Sequence, residues 1–220
     1  METRAIADLR VLAPDIDPRD LDEITEPPDA DDLVEAHVDG ADWTGLQLVG
    51  SRISGSHLVG VNLAEAGWRN VRLDGCRLER VDLSGARLAG LTVDRCEFVG
   101  CRLTGVQLVQ ATLKNVYFED CRLDYAHFED VRTAGATAWV ACGFDHAVLR
   151  GCRLSTAVVQ ACGLRDVELA ECDLRGADLR GNELSGITGL ASLRGVRLTA
   201  DQLTGFAVAA ARELAIVLDA

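Results

Sequence analysis

The chain has 220 residues, 48% of them hydrophobic and only 5% aromatic, with 21 glycines and a formal net charge of −13. That length supports one domain with a sizeable core. No apolar run approaches the roughly 18 residues of a transmembrane helix, and Met1 to Asp8 lack the apolar stretch of a signal peptide, so a cytoplasmic protein without membrane contact is expected.

The acidity is unevenly spread. Residues 1–35 carry twelve acids and three bases, whereas residues 36–198 carry twenty acids and eighteen bases. Without a basic surface for phosphates, direct nucleic-acid binding is not expected. Within the acidic segment, Thr3 to Leu12 reads as a short helix with Ile6, Leu9 and Leu12 on one face. Asp17 followed by Pro18 is an N-cap with proline at the first helical position, so Pro18 to Ile24 reads as a second. Pro27 and Pro28 end it, and the run from Asp29 to Asp32 is expected to be solvated.

From Ala36 the pattern changes to a period of five. The stretch from Cys76 to Gly100 is typical: Leu78, Leu83, Leu88, Val93 and Phe98 are unit centres. Two residues before them stand Cys76, Val81, Ala86, Leu91 and Cys96. Five is neither the period of a helix nor that of a flat strand; it is an internal repeat. The centre and the residue two before it point to one side, because strand side chains alternate. Glycines such as Gly40, Gly45 and Gly60 fall last in the unit, where a corner needs positive φ. Four units make one coil of 20 residues, stacked on the next by backbone hydrogen bonds at about 4.8 Å.

This pattern resembles the pentapeptide-repeat family, whose usual unit is A(D/N)LXX, and within it the gyrase-binding Qnr and MfpA types. The resemblance implies an all-β solenoid, a right-handed quadrilateral β-helix. Residues 36–198 would form it, with 1–35 as an N-terminal helical cap, or alternatively an acidic interaction arm, and 199–220 as a C-terminal capping and dimerisation helix.

The phase slips by one residue within Ala134 to Ala138, after which the centres run from Trp139 to Leu184. A second slip, four extra residues from Ile187 to Leu190, is expected before the repeat resumes at Ala191. About eight coils then give a rod roughly 38 Å long. All eight cysteines occupy the position two before a centre. Cys101, Cys121, Cys142 and Cys162 should form one column, Cys76 and Cys96 a second, and Cys152 and Cys172 a third. They read as small buried residues, since no CxxC pair exists, and such thiols should be inert. Thr199 to Gln202 reads as a capping box, and Leu203, Phe206, Ala210 and Leu214 recur at helical spacing. Ile216, Val217 and Leu218 read as a final strand. In the gyrase-binding relatives this end also forms the dimer interface, which implies a homodimer through Leu203, Phe206, Ala210 and Leu214.

No catalytic constellation appears. There is no GxSxG, P-loop or HExxH, and Lys114 is the only lysine. His37 and His57 would stack on one outer side, but two ligands without a third make no metal site. No enzyme activity, metal or cofactor is expected, and function should lie on the faces. The side centred on Val38, Leu58, Leu78, Phe98 and Phe118 carries Asp39, Glu79, Glu97, Glu119 and Asp120 against Arg77 and Arg80. The side centred on Ile53, Leu73, Val93, Leu113 and Thr133 carries Arg52, Arg72, Arg95, Lys114 and Arg132 against Asp74 and Asp94. The resemblance implies DNA mimicry, with those five acids facing a DNA gyrase or another topoisomerase. The two slips are short, which is closer to the MfpA type than to the loop-bearing Qnr type. The alternative is a protein-interaction or structural module with another partner.

Overall fold

The computed structural model describes residues 3–28 and 32–217. The five-residue units fold as sides of a four-sided parallel coil, here numbered in chain order. Side 1 is centred on Ile53, Leu73, Val93 and Leu113; side 2 on Val38, Leu58, Leu78, Phe98, Phe118, Trp139 and Val159. Side 3 is centred on Trp43, Leu63, Leu83, Leu103, Leu123, Phe144 and Leu164; side 4 on Leu48, Trp68, Leu88, Leu108, Phe128, Leu149 and Leu169. These centres are all buried except Val159, which is partly so. Within the repeat, strands pair in parallel with those one coil on, as Leu78 does with Phe98 and Leu88 with Leu108. Among the described residues, sides 1 and 2 merge into a twelve-stranded sheet, because Thr92–Val99 and Thr112–Glu119 run unbroken round the corner. Side 4 is a seven-stranded sheet. Side 3 is joined by single bridges such as Asp42 to Asn62 and Asp82 to Arg102.

The corner residue takes positive φ at most corners, Gly135, Thr156 and Gly186 being exceptions, and it is not always glycine. Gly60 has φ 61, while Arg95, Ala141 and Ala161 have φ 52, 53 and 54. Those side chains bear the steric cost of the left-handed region, which the stacked coils impose on them.

The column two before each centre has a second task. Cys96 Sγ accepts a hydrogen bond from Cys76 N at 3.3 Å, and Cys162 Sγ accepts one from Cys142 N at 3.3 Å. Ser56 Oγ serves Ala36 N, Asn182 Oδ1 serves Cys162 N and Ser192 Oγ serves Cys172 N in the same way. The small polar atom thus satisfies a corner N–H that would otherwise be orphaned in the core. The thiols in turn donate to carbonyls, as Cys101 does to Leu78 O and Cys121 to Phe98 O. All eight cysteines are free.

The first slip lies where it was expected. Leu113 pairs with Thr133, but Val116 pairs with Thr137, one residue further on. The second is different. Ile187 is buried and Thr188 stays in register with Glu168, so the four residues are not an insertion. They begin the next side, and a 3-10 turn over Leu190–Leu193 shortens it, so that Arg197 pairs with Asp178 one residue early. The seven strands of side 4 also correct the expectation of eight full coils, because the last turn is held only by bridges and the 3-10 segment.

The N-terminal segment departs most from expectation. Thr3–Ile6 (β1) and Leu9–Leu12 (β2) form an antiparallel hairpin, not a helix, with Ile6 opposite Leu9 across a two-residue turn and Ala7 at φ 51. Pro18–Asp20 is one 3-10 turn, its N-terminus capped by Asp17 accepting from Arg19 N. Asp22–Glu23 then pairs with the first coil, Ile24 packs against the core, and Trp43 Nε1 donates to Thr25 O at 3.1 Å, closing that end. Asp29, Ala30 and Asp31 of the acidic run lie outside the described residues.

The other end is closed by Gln202, whose Nε2 donates to Leu179 O and Asn182 O while its Oε1 accepts from Thr199 N. A helix, Leu203–Glu213 (α1), follows. Ala209 is buried and Phe206 packs on the core. Ile216 and Val217 form no strand, and Leu218 lies outside the described residues.

Candidate functional site

A rod whose interior is filled by side chains offers its faces for binding. Among the described residues no group of three metal-ligating side chains converges, and no helix is long and apolar enough to cross a membrane. His37 and His57 lie one above the other, with tilted rings whose centroids are 5.3 Å apart, but among the described residues they belong to no three-ligand group.

Side 2 holds the five acids singled out from the sequence, and the structure divides them. Asp39 and Asp120 are exposed, and Glu119 is half-buried. Glu79 is half-buried and taken up by two cations, since Arg77 Nε donates to it and Arg80 lies 3.6 Å away, while His57 Nε2 lies 3.4 Å away. Burial lowers the pKa of His57 despite that carboxylate. Glu97 is 2% exposed. It accepts from Arg4 Nε, from Arg4 Nη2 at 3.2 Å and from Arg77 Nη1 at 3.3 Å. Glu97 is therefore not on an open acidic surface, because the N-terminal hairpin covers it.

The hairpin lies on side 2 and makes a second apolar cluster outside the rod. Ile6 and Val11 bury against Tyr117, Ala138 and Val158, which stack at the outward position of three successive coils. Arg4 stands 5.0 Å over the Tyr117 ring. Burial and the neighbouring Glu119 push the Tyr117 hydroxyl up to about 12, so it stays protonated. Asp8, in the turn, reaches Arg197 at 2.8 Å and Arg180 at 3.6 Å. Sequence reasoning missed this site. The available signal was a run of apolar residues at the position before the centre, where earlier coils carry His37, His57, Arg77 and Glu97.

The basic side 1 is largely neutralised. Asp74 gathers Arg95 at 2.7 Å, Arg52 at 3.1 Å and Arg72 at 3.5 Å, and Lys114 meets Asp94 at 2.9 Å. Side 3 is the more continuous acidic surface. It carries Asp42, Glu65, Asp82, Asp124, Asp145, Asp166 and Glu183 against Arg102, Arg122 and Arg165. Arg102 and Arg165 are spent on Asp82 and Asp145.

At the C-terminal end, Leu203 is 59% and Leu214 70% exposed, with Val208, Ile216 and Val217 also in solvent. Phe206 faces the rod, and Ala210 is half-buried.

These features define a four-sided parallel β-helix with capped ends and charged faces, built from five-residue units. The chain belongs to the pentapeptide-repeat family: the model for a pentapeptide repeat region matches residues 71–138, and that for pentapeptide repeats in eight copies matches 142–181 and 160–188. No curated protein matches. Among solved structures, a trypsin-treated QnrB1, a plasmid-mediated fluoroquinolone resistance protein, is 17% identical over 90% of this chain and 96% of its own, with a TM-score of 0.39. HetL from the cyanobacterium Nostoc, a pentapeptide repeat protein involved in heterocyst differentiation regulation, is 23% identical over 76% of this chain and 83% of its own, with a TM-score of 0.33.

Proposed function

We propose that this chain is a non-enzymatic binding module that engages a protein partner along the rod. In this reading the partner is DNA gyrase or another topoisomerase, met as a DNA mimic by the acidic sides 2 and 3. The observation that carries it is the row of carboxylates on side 3, about one per coil, continued round the corner by Asp39, Glu119 and Asp120. A rod with regularly spaced negative charge would be steered to a basic, DNA-sized saddle. Glu79 and Glu97 contribute little here, since cations already hold them. Two copies would join through the exposed apolar residues of the C-terminal end, Leu203 and Leu214, with Phe206 and Ala210 supporting them from beneath.

The test is gyrase supercoiling across a titration of the protein, with and without ciprofloxacin. Inhibition or drug protection that disappears on charge reversal of Asp124, Asp166 and Glu183 supports the mimic. No effect at high excess refutes it for that enzyme. A second reading, an interaction module for another protein, is favoured by the sequestration of Glu97 beneath the hairpin.

A further inference from the structure

Side 2 changes character along the rod. At the position before the centre its early coils carry His37, His57, Arg77 and Glu97, whereas Tyr117, Ala138 and Val158 form an apolar strip there on later coils. Such a strip marks a place where something binds. What binds it here is the chain's own β1–β2 hairpin.

The attachment is of a particular kind. The hairpin is a separate two-stranded sheet, and among the described residues no backbone hydrogen bond joins it to the rod. Side chains alone hold it. Arg4 grips Glu97 and covers Tyr117, Ile6 and Val11 fill the strip, and Asp8 answers Arg180 and Arg197. A lone two-stranded hairpin is marginal in water, so this one depends on its berth. The rod does not depend on it in return, since its interior cluster contains no residue before Leu33 apart from the partly buried Ile24. The tether behind the hairpin packs only in part: Ala13 is buried, but the residues after it span a gap. A cavity of about 200 Å3 remains between Pro14, Ile16 and Pro18 above and His57, Arg77 and Glu79 below.

We propose that side 2, from Glu97 to Arg197, is a docking surface for an extended protein segment, and that residues 3–12 are its internal occupant. An external segment that takes their place must present the same chemistry. It brings an arginine to Glu97 and Tyr117, two aliphatic side chains to the Tyr117–Ala138–Val158 strip, and a carboxylate to Arg180 and Arg197. Bidentate guanidinium recognition of a carboxylate, stacked on an aromatic face, makes lysine a poor substitute for the arginine. The hairpin then acts as a lid, released when such a segment competes for its place. The inference does not depend on the partner being a topoisomerase.

The probe is a fluorescent peptide of residues 3–14, titrated against full-length protein. A tethered segment has an effective concentration of about 1 mM, so a lid closed about nine-tenths of the time requires a dissociation constant in trans of about 0.1 mM or tighter. The full chain with Arg4→Glu and Val11→Asp, opened but otherwise intact, should bind the peptide in that range. The unaltered chain should bind at least about tenfold more weakly, because its own hairpin competes. Adding Glu97→Arg or Tyr117→Ala to the opened chain should abolish binding. A second opened chain, Ile6→Ser with Val11→Ser, avoids the charge reversal and should behave alike. Absence of binding to opened chains that melt as the unaltered one does, equal binding to opened and closed chains, or indifference to Glu97→Arg would each overturn the proposal.

Discussion

Replacing Trp139 separates two contributions that the aromatic stack combines. Phe98, Phe118 and Trp139 are stacked inside side 2, with centroids 4.7 and 5.4 Å apart, and Phe144 meets Trp139 edge-on at 6.2 Å. The stack ends there, because the next centre is Val159, and an apolar cavity of about 60 Å3 opens beyond it. Trp139→Ala would enlarge that void with little chance of collapse and remove both ring contacts. The expected loss is about 3–5 kcal/mol, including about 0.5–1.5 kcal/mol for each aromatic pair. At about 2–4 °C per kcal/mol for a chain of this size, the melting temperature should fall by about 6–20 °C. Trp139→Phe is different. The indole Nε1 is buried without a hydrogen-bond partner, and removing such a group recovers about 1–3 kcal/mol. The smaller ring forfeits about 1–2 kcal/mol of burial. The two nearly cancel, so Trp139→Phe should lie within about 1 kcal/mol of the parent by urea denaturation with an unchanged slope. If Trp139→Phe costs as much as Trp139→Ala, the indole N–H is not a liability and the reasoning fails.

Ala161, at φ 54, should be improved by glycine. Relief of about 1–2 kcal/mol of left-handed strain, less about 0.5–1 kcal/mol of glycine entropy, predicts a gain of about 0.5–1 kcal/mol. Gly60→Ala, at φ 61 with open space around it, should lose a similar amount, and a lower melting point for Ala161→Gly would contradict this. Asp74 is buried, which raises its carboxyl pKa, but Arg95, Arg72 and Arg52 outweigh that and hold it below the ordinary value. Its folded pKa is thus depressed, so its stabilisation is present above about pH 4 and lost as pH falls through the folded value. Asp74→Asn should flatten the acid limb of a stability-against-pH curve, and an unchanged limb would exclude Asp74 from it. Among the thiols, Cys172 should react first with a disulfide reagent near neutral pH. Its hydrogen bond with Cys152 lowers its pKa despite burial, while the bond with Cys172 and burial push Cys152 up. Equal labelling of Cys152 and Cys172 would refute that ordering.

The coil was legible because each five-residue unit declares itself by one large apolar centre, and one missed beat, after Thr133, is visible against so many regular ones. The stretch at Ile187 was misread because Gly189 and Leu190 break the centre rule while Ile187 still keeps its inward place. The cysteines looked like small apolar filler. Their role as acceptors was hidden in the exchange of Cys, Ser and Asn at one position, which apolar size alone does not explain. The hairpin was misassigned because Ile6 and Leu9, three apart, suit one face of a helix and equally the two ends of a two-residue turn. Only the strip on coils more than a hundred residues away decides between them, and tertiary contact of that kind overrides local propensity. The same contact removed Glu97 from the acidic face, which no count of charges could foresee.

Stacked coils touch only their neighbours, so a solenoid can form and fray one layer at a time. The contact of Asp8 with Arg197 breaks that rule by joining the start of the chain to its last turn. During synthesis the hairpin leaves the ribosome before the coils it rests on: its berth on Tyr117, Ala138 and Val158 appears far later, and Arg197 later still. The hairpin is therefore made before its berth and settles only after it, and its docking reports that the coils up to Arg197 have been laid down in register.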